Sequence, residues 1–170
     1  VGMGGLDDIE KNTMILETKG AKRVSPFFLP YTLANLASGV VSKYYNLKGP
    51  NICPTTACAS GTHAVGEGWL YVSNGWADVM LVGGAESALS PLGIASFSSM
   101  KALCAENDNP ERASRPFDAT RSGFVMGEGA GVMVLESLEH AESRGAEIIC
   151  EVVGYGLSGD AYHITAPAPG

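Results

Sequence analysis

The segment Thr55-Thr56-Ala57-Cys58-Ala59-Ser60-Gly61 carries the most chemical content in this sequence. The residues before the cysteine (51–57) read as a short buried strand and those from 58 to 74 as a buried helix, so the thiol falls at their junction. Unpaired N–H groups and the positive end of the helix dipole can lower a thiol pKa from its usual ~8.5 and hold the thiolate. The same N–H groups can bind an oxyanion once the sulfur has attacked a carbonyl. That is the chemistry of covalent acyl transfer. An inert buried cysteine is the competing reading, and these residue types alone leave both open.

A nucleophilic cysteine needs a base or an orienting group. His63 follows Cys58 by five positions, about 140° around a helix, and so faces elsewhere as a packing or hydrogen-bonding residue. His140, in Glu139-His140-Ala141-Glu142, reads as solvated. His163 lies in a loop after a strand end, where functional residues concentrate, but a structural role fits it equally. The sequence thus offers a nucleophile without a base, and part of a Cys58 site is expected outside these residues. The block Gly123-Phe124-Val125-Met126-Gly127-Glu128-Gly129-Ala130-Gly131 lacks the Lys-Ser/Thr of a phosphate loop and leads into a strand. Close backbone packing with Glu128 as a structural carboxylate is the better reading. Asp7-Asp8 and Glu106/Asp108 read as solvated charges. Lys19, Lys22 and Arg23, with Lys101 elsewhere, form the one candidate basic cluster.

Strands alternating with helices must position these groups, which implies a layered α/β domain. A helix over 7–18 ends at Gly20. Leu33, Leu36, Ala37, Val40, Val41 and Tyr44 recur at helical spacing, predicting a helix over 31–45 after a loop at 25–30. Ala59, Gly61, Ala64, Gly66 and Gly68 suit a helix only if other backbone packs closely against it, since each glycine costs about 1 kcal/mol relative to alanine. Strands are expected at 77–83, 129–136 and 147–155. Ser90-Pro91 opens a helix to about 103, residues 105–122 form a polar loop, and 137–144 a short helix stopped by Gly145.

The chain has 170 residues, of which 22 are glycine, nearly twice the usual ~7%. A chain of this length can bury roughly 68–70% of its unfolded surface. No apolar run approaches the ~20 residues of a membrane span. The formal net charge of −7 argues against nucleic acid and anionic membranes as partners. Cys53, Cys58, Cys104 and Cys150 show no CxxC spacing, which suggests reduced thiols and no zinc site. The sequence opens in a glycine-rich turn and stops in a Pro-Ala-Pro-Gly loop, and so reads as an internal fragment.

Several blocks resemble the β-ketoacyl-acyl carrier protein synthases, condensing enzymes of the thiolase-like fold. They are Val24-Ser25-Pro26-Phe27-Phe28, Leu47-Lys48-Gly49-Pro50-Asn51, Thr56-Ala57-Cys58-Ala59-Ser60-Gly61, 77–86, Ala113-Ser114-Arg115-Pro116-Phe117-Asp118 and 123–131. The ending Ser158-Gly159-Asp160-Ala161-Tyr162-His163-Ile164-Thr165 is similar to the elongating type II branch. The resemblance implies a layered α/β half with a mixed sheet and a buried helix bearing the nucleophile. Residues 1–170 would be the N-terminal domain, incomplete at its start and lacking the C-terminal half. It implies a decarboxylative Claisen condensation in fatty acid biosynthesis: Cys58 takes an acyl chain from acyl carrier protein, and the carbanion left by decarboxylation of malonyl carrier attacks that thioester.

By the same resemblance the Cys58 N–H is an oxyanion-hole donor, and Phe28, Ala57, Leu92, Gly93, Phe97 and Phe124 line or gate an acyl pocket. Lys22, Arg23 and Lys101 meet the acidic carrier. No cofactor and no metal are implied. The expected partners are the phosphopantetheine-linked acyl and malonyl carrier and, in the full-length protein, a second copy in a homodimer, with no nucleic acid and no membrane insertion. An intracellular setting follows, bacterial cytoplasm or mitochondrial or plastid matrix. The family's two catalytic histidines and its lysine belong to the other half, so the isolated residues are expected to be inactive and to aggregate. Competing readings are a polyketide ketosynthase module, a thiolase, a non-catalytic chain-length partner (which lacks the cysteine) and a purely structural half.

Overall fold

The computed structural model describes residues 1–169. It contains helices α1 (Leu6–Lys19), α2 (Phe28–Thr32), α3 (Leu36–Tyr45), α4 (Ser60–Ser73), α5 (Pro91–Ser99) and α6 (Leu138–Ser143), with strands β1 (Val79–Glu86) and β2 (Gly129–Glu136). Single 3-10 turns lie at Ala21–Arg23, Ala57–Ala59 and Pro110–Arg112.

Local signals set most of these boundaries. Ser90 accepts the Gly93 N–H at 3.0 Å and Ser137 accepts the His140 N–H at 3.3 Å, so each opens a helix as an N-cap. Helix α1 also closes on α5: the Glu10 carboxylate accepts the Leu92 N–H at 3.1 Å in the first turn of α5. The apolar stripe of 31–45 is divided between two helices. Helix α2 starts earlier than expected and contains Pro30, tolerated in a first turn whose N–H groups have no helical acceptor. The chain then straightens at Leu33 (φ −75°, ψ 119°) before α3.

Strands β1 and β2 pair antiparallel from Val79↔Glu136 to Glu86↔Gly129. Helix α4 packs across β1. A Cβ placed on Gly68 would lie 2.3 Å from Val82 Cγ1, so only glycine admits this approach. The glycines that weaken α4 as an isolated helix thus let it sit against the sheet.

Two expected strands are absent, and the sheet of the described residues is a two-stranded antiparallel pair, not a mixed one. Residues 51–56 run without strand pairing. They face β1 across a cavity of about 510 Å³ lined by Val41, Ile52, Cys53, Gly68 and Leu81 among others. Residues 147–155 have no partner strand either, and Ile149 stands 94% exposed. A strand persists only where a neighbour takes its backbone groups, and hydropathy cannot supply that neighbour. The buried side chains are correspondingly few: Val82, Ala88, Ala113 and Ala141 among the apolar ones. The accessible surface is 12623 Å² for 17.6 kDa, against about 8,000 Å² for a compact domain of that mass. About half of the unfolded surface is buried, not the 68–70% expected from length.

Other charged groups find partners nearby. Glu136, at the end of β2, accepts Arg144 Nε at 2.7 Å and Nη2 at 2.6 Å, and also pairs with His140. His140, half-solvated at its side chain, is also part of a clasp between β2 and α6. These two partners, Arg144 foremost, lower the Glu136 pKa from 4.5 to about 2. Glu106 is the exposed loop charge expected of it, and it also accepts Arg115 Nη2 at 2.7 Å and Ser122 Oγ at 3.1 Å, closing the loop before β2.

Candidate active site

Cys58 lies in the 3-10 turn Ala57–Ala59 that feeds directly into α4, and its side chain is exposed. The strand-to-helix junction of the sequence reading is thus an unpaired segment leading through a tight turn into a helix. Helix α4 is 14 residues long, with Ser60, Gly66 and Gly68 buried and its other residues less enclosed than expected.

The turn has a feature that composition hides. Ala57 adopts φ +51°, the left-handed region, where an alanine pays on the order of 1–2 kcal/mol. That inversion redirects the chain so that the N–H groups of Ala59 and Ser60 bond back to Thr56 and Ala57. The Cys58 N–H has no acceptor among the described residues. A free amide beside an exposed sulfur, just ahead of a helix N-terminus, is the arrangement an oxyanion requires.

Ser60, 4% exposed, secures the inversion. Its hydroxyl accepts the Thr56 N–H at 2.9 Å and donates to the Ala57 carbonyl at 2.7 Å. The Thr56 hydroxyl shares a 2.6 Å hydrogen bond with His63 Nδ1. From the sheet side, Glu86 accepts the Gly2 and Met3 N–H groups at 2.6 and 3.0 Å. This holds the first turn of the chain close to the Ala57 carbonyl, 3.4 Å from the position of a Gly2 Cβ. The sequence reading missed Thr56, Ser60 and Glu86. The one available signal was a serine and a histidine among the small residues that open α4.

The histidines have partners other than Cys58. His63 bonds Thr56, His140 pairs with Glu136, and His163 Nδ1 accepts the N–H groups of Thr165 and Ala166 at 3.1 and 3.0 Å. Glu128 is the structural carboxylate expected of it, accepting Ser87 Oγ at 2.8 Å and the Leu89 N–H at 3.0 Å. The glycine-rich block packs backbone on backbone at Gly123 (φ +146°), where a Cβ would meet Cys104 N at 2.4 Å.

Of the expected pocket residues, Phe97 and Phe124 meet edge to face with ring centroids 5.3 Å apart, and Leu92 and Gly93 share α5 with Phe97. Phe124 is anchored to the stretch after α5, bonding the Ala102 carbonyl and the Cys104 N–H. Ala57 adjoins Cys58 in the 3-10 turn. Phe28 lies on α2, which packs on α1 and α3. None of the six lines the cavity beside β1. Lys22 and Arg23 occupy the 3-10 turn after α1, Arg23 with Ile15 and Lys19 around a surface hollow, and Lys101 follows α5 with φ +57°.

Residues 1–141 match the family described as "Beta-ketoacyl synthase, N-terminal domain". The chain is 55% identical over 168 residues to the 3-oxoacyl-[acyl-carrier-protein] synthase 2 of Rhizobium meliloti (strain 1021), covering 98% of this chain and 40% of that protein. A crystal structure of a β-ketoacyl synthase from Burkholderia phymatum STM815 superposes with a TM-score of 0.88 at 37% identity, over 96% of this chain and 40% of that one. A type II polyketide ketosynthase, solved with its acyl-carrier protein and a bound hexaketide, gives 0.86 at 35% identity, over 92% of this chain and 40% of its own. The α/β, thiolase-like layering expected from the sequence is therefore the fold.

Proposed function

The chain belongs to the β-ketoacyl synthase family, and from that premise we propose that residues 1–170 are the N-terminal domain of a 3-oxoacyl-[acyl-carrier-protein] synthase in which Cys58 is the acylated nucleophile. One observation carries the reading: an exposed Cys58 sulfur with its own N–H unbonded, on a turn inverted at Ala57 just before α4. The chain spans about 40% of the length of the relatives it matches, and the groups that decarboxylate malonyl carrier lie in the remainder.

In the proposed cycle the Cys58 thiolate attacks the acyl thioester, its N–H takes a share of the negative charge on the tetrahedral oxygen, and the C–S bond to the carrier breaks as the carrier leaves as its thiolate. Malonyl carrier then loses CO2. The resulting carbanion attacks the Cys58 thioester, forming the new C–C bond and releasing the Cys58 thiolate and 3-oxoacyl carrier. Phe97 and Phe124, with Leu92, Gly93, Ala57 and Phe28, line the acyl path. Lys22, Arg23 and Lys101 receive the acidic carrier despite the net charge of −7, and the complete protein works as a homodimer.

The carrier as partner is supported by the neighbouring ketosynthase solved with its acyl-carrier protein. No helix among the described residues is long and apolar enough to cross a membrane, and the named relatives are bacterial, which favours a cytoplasmic setting. A polyketide ketosynthase is the second reading, favoured by the same neighbour structure; 55% identity to a 3-oxoacyl-[acyl-carrier-protein] synthase 2 against 35% to the polyketide enzyme ranks it below.

The test uses the complete synthase polypeptide with an acyl carrier thioester. Peptide mass analysis should find the acyl group on Cys58, and Cys58→Ala should lose both adduct and condensation. An adduct on another residue, or condensation surviving in Cys58→Ala, would refute the assignment. A product extended by several units on one protein would favour the polyketide reading.

A further inference from the structure

We propose that His63 is a positioning residue for acylation, acting on Cys58 through Thr56; this rests on the reading of Cys58 as the acylated thiol. The bond between His63 Nδ1 and the Thr56 hydroxyl, 2.6 Å, links the first turns of α4 to the residue two places before the nucleophile. Thr56 (φ −122°, ψ 44°) directly precedes the left-handed Ala57. Its N–H is already fixed by Ser60 Oγ at 2.9 Å. The hydroxyl bond therefore adds the second anchor, and a residue held at both its main chain and its side chain cannot rotate to relieve the inversion that follows. If Thr56 is released, Ala57 can return to right-handed backbone, which turns the Cys58 N–H away from the side on which a thioester oxygen develops charge.

His63 is itself supported. Its ring meets Tyr155 edge-on with centroids 6.3 Å apart and planes at 74°. Tyr155 in turn lies against Gly66, where a Cβ would come within 2.0 Å of the phenol ring. The run of contacts from Gly66 through Tyr155, His63 and Thr56 to Ala57 ties the turn to the body of α4. His63 has no hydrogen bond to Cys58, and Nδ1 is committed to Thr56, so its effect on acylation passes through the turn.

The experiment is a double-mutant cycle in the complete synthase polypeptide. His63→Ala, Thr56→Val and the double variant are compared by the single-turnover rate constant for transfer of the acyl group to Cys58, together with the KM for acyl carrier. Loss of one anchor should slow acylation about tenfold or more, with KM little changed. Thr56→Val should match it, and the double variant should be no slower than the slower single one. His63→Asn, whose side-chain amide can occupy the place of Nδ1, should recover most of the rate and remains informative if His63→Ala folds poorly. Equal slowing by His63→Ala with and without the Thr56 hydroxyl would overturn the proposal, as would a raised KM at an unchanged rate constant. Should the wild-type protein form no thioester on Cys58 at all, it is the nucleophile assignment that fails, an outcome separate from either.

Discussion

Replacing Ser60 with alanine removes one hydroxyl from beneath the nucleophile turn. That hydroxyl accepts the Thr56 N–H at 2.9 Å and donates to the Ala57 carbonyl at 2.7 Å, in a residue only 4% exposed. Each bond contributes on the order of 0.5–1.5 kcal/mol, about 1–3 kcal/mol for the pair. Against this stands the left-handed alanine, which costs about 1–2 kcal/mol relative to right-handed backbone. The two quantities are of the same size, so the Ser60 hydroxyl is enough to offset the cost of inverting Ala57. Without it, acylation of Cys58 by acyl carrier thioester should slow about 10–100-fold, since each 1.4 kcal/mol is a factor of ten. Adding Ala57→Gly should restore part of the rate, because glycine adopts positive φ without the side-chain penalty. The assay is single-turnover acylation of the complete polypeptide, with thermal unfolding measured alongside. Acylation by Ser60→Ala within about twofold of wild type, or a second substitution that slows the reaction further, would refute the argument that strain at Ala57 is held by this hydroxyl.

Gly66→Ala should destabilise by about 1–3 kcal/mol through overpacking, because the new Cβ would sit 2.0 Å from the Tyr155 ring; in urea titrations the loss should shrink in a Tyr155→Ala background, and an equal loss in both would contradict this packing. The clasp of Glu136 with Arg144 and His140 should make stability acid-sensitive. The Glu136 pKa is lowered to about 2, so its stabilisation is full above the ordinary carboxylate value near 4.5 and is lost as pH falls from there toward 2. Glu136→Gln should flatten that part of the melting-temperature profile, and an unchanged slope would exclude the clasp as its source. Residues 1–170 expressed alone should give a urea m-value about a quarter below that of a compact domain of their mass, since m follows the surface exposed on unfolding. They should also bind a hydrophobic dye and fail to condense acyl carrier substrates; a sharp, dye-free monomeric transition with the full m-value would contradict the exposed surface described above.

Elements fixed by local rules were legible in the sequence. The serine caps at Ser90 and Ser137 and the positive-φ glycines Gly20, Gly75 and Gly145 mark helix ends where composition puts them. Strands β1 and β2 announce themselves as apolar runs of strand length, and each supplies the other's partner edge. What failed was non-local. The runs at 51–57 and 147–155 have strand composition, but strand formation depends on a partner edge that no residue in the run encodes. The division between α2 and α3 was hidden because both helices continue one apolar stripe while the break at Leu33 is a backbone event without a breaker residue at that position.

The candidate site divides along the same line. Cys58 could be singled out as a candidate because the chemistry proposed for it depends on its immediate neighbours and on the helix that follows. The device that holds it could not, since nothing about an alanine signals positive φ and the bonds that hold it there run from Thr56 to Ser60 and His63, four and seven positions on. These bonds lie within one turn and the helix start, so most of the geometry at the sulfur is set by 56–63, with Glu86 and Tyr155 bracing it from outside. The acyl path is different in kind. Phe97 and Phe124 meet only because Phe124 is bonded to the stretch after α5, while Phe28 stands on a separate helix and the cavity beside β1 touches none of these residues. A nucleophile turn can therefore be complete within this chain while the enclosure around its substrate is not. The surface of 12623 Å² marks the same division physically: the proposed nucleophile is positioned locally, and the low-dielectric surroundings that would strengthen an oxyanion contact there must come from covering the exposed face.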